Sequence, residues 1–222
     1  MAVAPEDRLK VAVLISGRGS NMAALADAAA APDYPARIVA VISNRPDAAG
    51  LALAAEHGLP TQVIDHQAFP DRTTFDAALT EAAETAGAEF ICLAGFMRLF
   101  TTGFIDHWRD RLINIHPSLL PAFPGLNVHR KVLERGCRFS GCTVHFVRPD
   151  TDTGPIIAQA VVPVHPDDDA GALADRVLAA EHVLYPMALR LVAEGRVTIA
   201  GDIVRIDGAK APAGAFFNPL PT

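Results

Sequence analysis

The 222-residue sequence has little cysteine, a single tryptophan and no surplus of positive charge. Its three cysteines, Cys92, Cys137 and Cys142, are odd in number and irregularly spaced. That argues against a disulfide framework and for a reducing compartment. Cys137 and Cys142 do not make a Cys-x-x-Cys pair, and the histidines show no metal-ligand spacing, so no metal is expected. Lys and Arg total 19 against 25 Asp and Glu, a formal net charge of -6. A nucleic-acid surface needs a basic face, so no nucleic-acid partner is expected. No apolar run reaches membrane-spanning length without charges or breakers, so no membrane partner is expected either. Met1–Lys10 is short and polar, unlike a secretion signal, and the expected location is cytoplasmic. The sequence also lacks the Gly-Lys-Ser/Thr ending of a P-loop and the Gly-x-Ser-x-Gly turn of serine hydrolases. A covalent nucleophile is therefore not indicated.

What is present is apolar material in alternating blocks. Half of the residues are hydrophobic, enough for a sizeable core. Val11–Ile15, Arg37–Ser43, Thr61–Ile64, Glu89–Leu93 and Leu112–Ile115 read as strands, the longer ones as buried parallel strands. Asn21–Ala30, Asp47–Gly58 and Asp71–Gly87 read as the helices between them. This βαβ alternation predicts an open α/β sheet that is mostly parallel, with helices on both faces. Pro117–Gly125 reads as loop, Phe139–Val147 and Pro155–Val164 as paired strands, and Asp169–Glu194 as a long helix capped by its leading aspartates. Pro186 is expected to kink that helix. A short strand pair near 197–206 and a Pro/Gly-rich tail follow. No interdomain linker is visible, so 1–222 is expected to be one domain, with halves meeting near residue 110.

In such sheets ligands bind beyond the carboxyl ends of the strands. Three motifs fall there. Ile15-Ser-Gly-Arg-Gly-Ser-Asn21 joins a strand to a helix, and its glycines let the backbone approach a ligand at the helix N-terminus. A plain connector explains the same turn equally well. Met22 stands where a dinucleotide fingerprint wants a third small residue, although Arg45 keeps a nucleotide-binding module with NADP as the alternative. Gly95–Phe100 follows the fourth strand. Asn114 and His116 share one face at the end of the fifth, with Ile115 on the other. An amide that donates to an oxyanion beside an imidazole that moves a proton suits acyl transfer. A hydrogen-bonded pair bracing the loop is the competing reading. Asp152, in a run rich in turn residues, is either turn chemistry or a carboxylate that orients His116. His145 is a candidate support for the same cluster. By pattern alone, Glu181 is a surface charge of the long helix.

Taken together, Val13–Asn21, Leu93–Arg98, Ile113–Pro121, Thr143–Val147 and Asp152–Ile156 resemble the phosphoribosylglycinamide formyltransferase family, over nearly the whole chain. The resemblance implies a Rossmann-like formyltransferase fold with a folate cleft in the second half. It implies two small-molecule substrates, glycinamide ribonucleotide and 10-formyltetrahydrofolate, the latter as co-substrate, in a monomer or homodimer. Gly19, Ser20 and Asn21 would hold the ribonucleotide phosphate, and Glu181 its ribose. Arg72, Met97, Arg98, Leu99, Phe100 and the Arg148–Asp152 loop would line the folate site, together with Asn114. Asn114, His116 and Asp152 would be the catalytic set. Asn127 departs from the family pattern at a loop position where a histidine or other small polar residue stands. Formyltetrahydrofolate deformylase and methionyl-tRNA formyltransferase share part of these motifs. Each carries a further domain for which this length leaves no room.

Overall fold

The apolar blocks become the parallel part of one sheet: β1 (Leu9–Ile15), β2 (Ala36–Ser43), β3 (Thr61–Val63), β4 (Phe90–Leu93) and β5 (Leu112–His116). In the computed structural model, which describes residues 3–219, β1 pairs in parallel with β2 and β4, β2 with β3, and β4 with β5. Met1, Ala2 and residues 220–222, the outer parts of the polar start and the Pro/Gly-rich tail, lie outside the described residues. β6 (Phe139–Phe146) and β7 (Ile156–Pro163) extend the sheet in the antiparallel sense, giving the order β3-β2-β1-β4-β5-β6-β7. A separate hairpin joins β8 (Val197–Ala200) and β9 (Ile203–Ile206).

Strand side chains alternate, so β1 feeds two cores. Val11, Val13 and Ile15 pack with Met22 and Leu25 of α1 (Ser20–Ala29) and with Leu184, Tyr185 and Leu189 of α6 (Ala170–Ala193). Ala12 and Leu14 face the other way, to Phe75 and Leu79 of α3 (Arg72–Thr85) and to Trp108. This two-sided burial is why β1 and β4 are apolar without alternation. Between β2 and β3 lies α2 (Ala49–Glu56). α6 starts at Asp169, whose carboxylate accepts from the Ala172 N–H at 2.7 Å. It continues through Pro186 to Ala193, and the Pro186 carbonyl accepts the Tyr34 hydroxyl at 2.7 Å.

Two helices are additions to the sequence reading. α4 (Thr102–His107) is capped by the Thr101 hydroxyl, and α5 (Val128–Glu134) begins after Asn127 in a left-handed conformation. Each is too short for a 3.6-residue apolar period to repeat. α5 buries only Val128 and Val132, one turn apart. The 117–127 loop is pinned to β6 by Thr143, whose hydroxyl donates to the Ser118 carbonyl at 2.7 Å and accepts from the Leu120 N–H at 3.1 Å.

Candidate active site

The register of the antiparallel pair assembles the polar cluster. Asn114 lies opposite His145, and His116 opposite Thr143, and directly opposed residues share a sheet face. The 147–155 connection then returns Asp152 to this face. Its Oδ2 lies 3.3 Å from His116 Nδ1 and accepts from the Gly125 N–H at 2.8 Å. Its Oδ1 lies 3.8 Å from His145 Nε2. Asp152 holds a left-handed φ of 56°, a conformation that costs a non-glycine residue energy and concentrates at functional sites. Gly154 shapes the same turn: a Cβ there would fall on the Phe146 carbonyl.

The hydrogen bonds assign the rings' roles. His145 Nδ1 donates to the Phe146 carbonyl at 2.9 Å, which leaves Nε2 to accept from the Asn114 amide at 3.3 Å. Burial pushes the His145 pKa down and favours that neutral form. His145 thereby aims the Asn114 amide. His116 is 5 % exposed, with Nε2 3.0 Å from the Phe123 carbonyl. Both its nitrogens face oxygen acceptors, an arrangement fully satisfied when both carry hydrogen. The Phe123 carbonyl is backbone in an irregular loop, so no residue type could announce it. His129, at the start of α5, has a pKa lowered by burial and by the nearby His116.

Gly19, Ser20 and Asn21 sit where the helix α1 begins. Gly19 has φ 79°, and a Cβ on it would come within 2.6 Å of the Gly50 backbone. Gly17 has neither a left-handed φ nor a crowding neighbour. Asn21 donates to Glu181 Oε2 at 2.7 Å, and its Oδ1 is buried without a partner. Glu181 is 6 % exposed, which corrects the surface-charge reading. It lies on the apolar stripe of α6, one turn from both Val177 and Leu184, and faces α1; a charge at that helical spacing is the sequence signal that marks it. Burial pushes its carboxyl pKa up, against the Asn21 hydrogen bond and the Arg18 charge. The orphaned Asn21 oxygen and this carboxylate are acceptors aimed at hydroxyl or amine donors.

The Gly95–Phe100 segment leaves β4 beside Asn114, since Leu93 pairs with that residue. Phe96 and Phe100 turn inward, with Phe100 stacked between Phe96 and Phe104. Met97 and Leu99 point out, 69 % and 61 % exposed. Arg72 is exposed at the start of α3, and Arg98 lies over the Phe75 ring at 5.4 Å. Arg148 is bound to Asp110 at 2.6 Å, which ties down the start of the 148–152 loop. A cleft of about 210 Å³ between Leu120, Pro124, Thr151 and Ile156 has Asp152 in its wall. A larger concavity of about 440 Å³ opens at Arg45, Asp47 and His66. Its Arg45 is engaged with Asp47 at 2.7 Å, and none of the clustered groups line it. Among the described residues no three His, Cys, Asp or Glu side chains group as a metal site, and no helix is long and apolar enough to cross a membrane.

Residues 9–189 match the formyl transferase family. The phosphoribosylglycinamide formyltransferase of Escherichia coli K12 is 39 % identical over 204 residues, covering 92 % of this chain and 96 % of that protein. The trifunctional purine biosynthetic protein adenosine-3 of Drosophila pseudoobscura pseudoobscura is 51 % identical over 200 residues, 89 % of this chain. The chain spans about 15 % of that longer relative. The crystal structure of glycinamide ribonucleotide transformylase 1 from Symbiobacterium toebii superposes with a TM-score of 0.88 at 48 % identity, covering 90 % of this chain and 94 % of the other. The matched residues 9–189 include the Gly19 turn, the Asn114–His116 strand end, the Asp152 loop and Glu181, and by its likeness over nearly its whole length the chain belongs to the phosphoribosylglycinamide formyltransferases, within the formyl transferase family.

Proposed function

We propose that this enzyme transfers the formyl group of 10-formyltetrahydrofolate to the amine of glycinamide ribonucleotide, with Asn114, His116 and Asp152 as the catalytic set. The observation that carries this reading is the convergence of those three side chains at the β5 end, beside a cleft and at the same carboxyl end of the parallel strands as the Gly19 turn. Gly19, Ser20 and Asn21 take the phosphate through the free N–H groups of α1. The Glu181 carboxylate and Asn21 Oδ1 accept from the ribose hydroxyls. The folate lies along Met97–Phe100 and the Arg148–Asp152 loop, with Arg72 at its far end. Both substrates are consumed, and no metal is required. The enzyme works in the cytoplasm as a monomer or homodimer, with neither nucleic acid nor membrane as partner.

The substrate amine attacks the formyl carbon, and the carbonyl oxygen gains negative charge. Asn114, its amide aimed by His145, donates to that oxygen, and His116 Nε2 donates beside it once the Phe123 carbonyl gives way. Asp152 stabilises the charged imidazole. One amine proton passes through the His116–Asp152 pair, directly or through water, to the folate N10 as the carbon–N10 bond breaks. Formylated ribonucleotide and tetrahydrofolate leave, and atoms and charge balance without a covalent enzyme intermediate. Mass spectrometry of the reaction mixture tests this: formylated glycinamide ribonucleotide is expected in step with tetrahydrofolate, and formate in its place contradicts transfer.

A further inference from the structure

The segment between β4 and α4 is held at both ends by buried side chains that the proposed reaction does not use. At its start, the Met97 N–H donates to Ser16 Oγ at 2.8 Å, and Ser16 in turn donates to Asn44 Oδ1 at 2.6 Å. At its end, the Thr101 N–H donates to Asp76 Oδ2 at 2.7 Å. Asp76 is 3 % exposed and lies on α3 one turn after Arg72 and next to Phe75. Arg98 reaches back from the segment and lays its guanidinium over the Phe75 ring. Asp76 Oδ1 and Arg98 Nε are both buried without a hydrogen-bond partner. Burial pushes the Asp76 carboxyl up, while the Thr101 N–H and the charges of Arg72 and Arg98 oppose that push. A helix gains nothing in packing from a buried carboxylate with one idle oxygen, because an apolar side chain would fill the space at lower cost. The carboxylate's visible work is on the neighbouring segment.

We propose that Asp76 is a positioning residue for the 97–101 segment, fixing its backbone at Thr101 and restraining Arg98 against Phe75 so that Met97 and Leu99 remain on the open side that meets the folate. Asp76 acts through the segment and touches neither substrate. The inference rests on the folate placement proposed above. Ser16 holds the opposite end from the first residue of the phosphate-binding turn, so both substrates' subsites share a wall.

Initial rates of Asp76→Ala and Asp76→Asn against each substrate test this. Asp76→Ala is expected to raise KM for 10-formyltetrahydrofolate about tenfold, the scale of a lost hydrogen bond to a charged group. KM for glycinamide ribonucleotide and kcat stay within about twofold, well inside that scale. Asp76→Asn, which keeps an acceptor for the Thr101 N–H, raises the same constant less. An equal change in the ribonucleotide KM or in kcat, or no change in folded variants, overturns the proposal; if Asp76→Ala fails to fold, Asp76→Asn decides. Trypsin gives a readout independent of activity, since freeing the segment exposes the Arg98–Leu99 bond. Faster cleavage there in the variants is expected, and unchanged cleavage overturns the role of Asp76. A wild-type enzyme without ribonucleotide-dependent turnover overturns the folate reading instead, while the trypsin result still decides the hold on the segment.

Discussion

Asn114, His116 and Asp152 carry different parts of the proposed chemistry, and truncating each should cost differently. His116→Ala removes proton movement and one oxyanion donor, and kcat should fall about a hundred- to ten-thousandfold. Asp152→Ala should fall in the same range, because the imidazole loses its charge partner. Asn114→Ala should cost about a hundred- to a thousandfold, the range for one oxyanion donor. Steady-state assays on folded variants check this, and near wild-type kcat removes that residue from the set. Glu181 bears a second residue-scale prediction. Its carboxyl pKa is raised by burial, so the folded state binds that proton more tightly than the unfolded chain. Its contribution is therefore most favourable in acid and is lost as pH rises through the raised value. Glu181→Gln should raise Tm near neutral pH, leave it unchanged well below the carboxylate range, and weaken ribonucleotide binding. A lower Tm at neutral pH contradicts this sign. At this scale strand alternation placed Asn114 and His116 on one face, and their part in the chemistry was read from the family resemblance. The role of Asp152 stayed open, since its residue type also suits a turn, and it is the fold-back onto His116 that brings the carboxylate to the ring. The Phe123 carbonyl left no trace in residue type, because it is backbone, whereas Glu181 stood on the apolar stripe of α6 between Val177 and Leu184 and could have been marked by its spacing.

The elements that place these residues were legible in proportion to their length and burial. β1, β2 and α6 have long runs or repeated periods, and their positions matched within a residue or two of the observed bounds. α4 and α5 were hidden because each spans under two turns and buries a pair of apolar residues. The turn before α1 depends on one glycine more than the other. Gly19→Ala puts a Cβ against the Gly50 backbone at a left-handed φ, which should cost about 1–3 kcal/mol and displace the helix start from the proposed phosphate site. Gly17→Ala meets open space and should change Tm little. Thermal melts of the two variants check the contrast, and equal losses contradict the assignment of the close approach to Gly19.

At the scale of the molecule, the sheet crosses from the first half of the chain to the second without a break, through β4, β5 and β6. We propose that 1–222 is a single cooperative domain. Trp108, the only tryptophan, is fully buried in the core on the α3 side. Its fluorescence should therefore change at the same temperature as the far-ultraviolet circular dichroism of all the helices, and two separate midpoints contradict one domain. The alternation of strands and helices made the mostly parallel sheet readable in advance, whereas the two later strands read only as a pair, and their antiparallel attachment to β5 is a finding of the structure. In the proposed reading, the fold serves to bring two substrates together at the carboxyl ends of its parallel strands. The most direct test is tetrahydrofolate release from 10-formyltetrahydrofolate with and without glycinamide ribonucleotide. Release that requires the ribonucleotide is the predicted result, and release at the same rate without it would show hydrolysis and contradict formyl transfer.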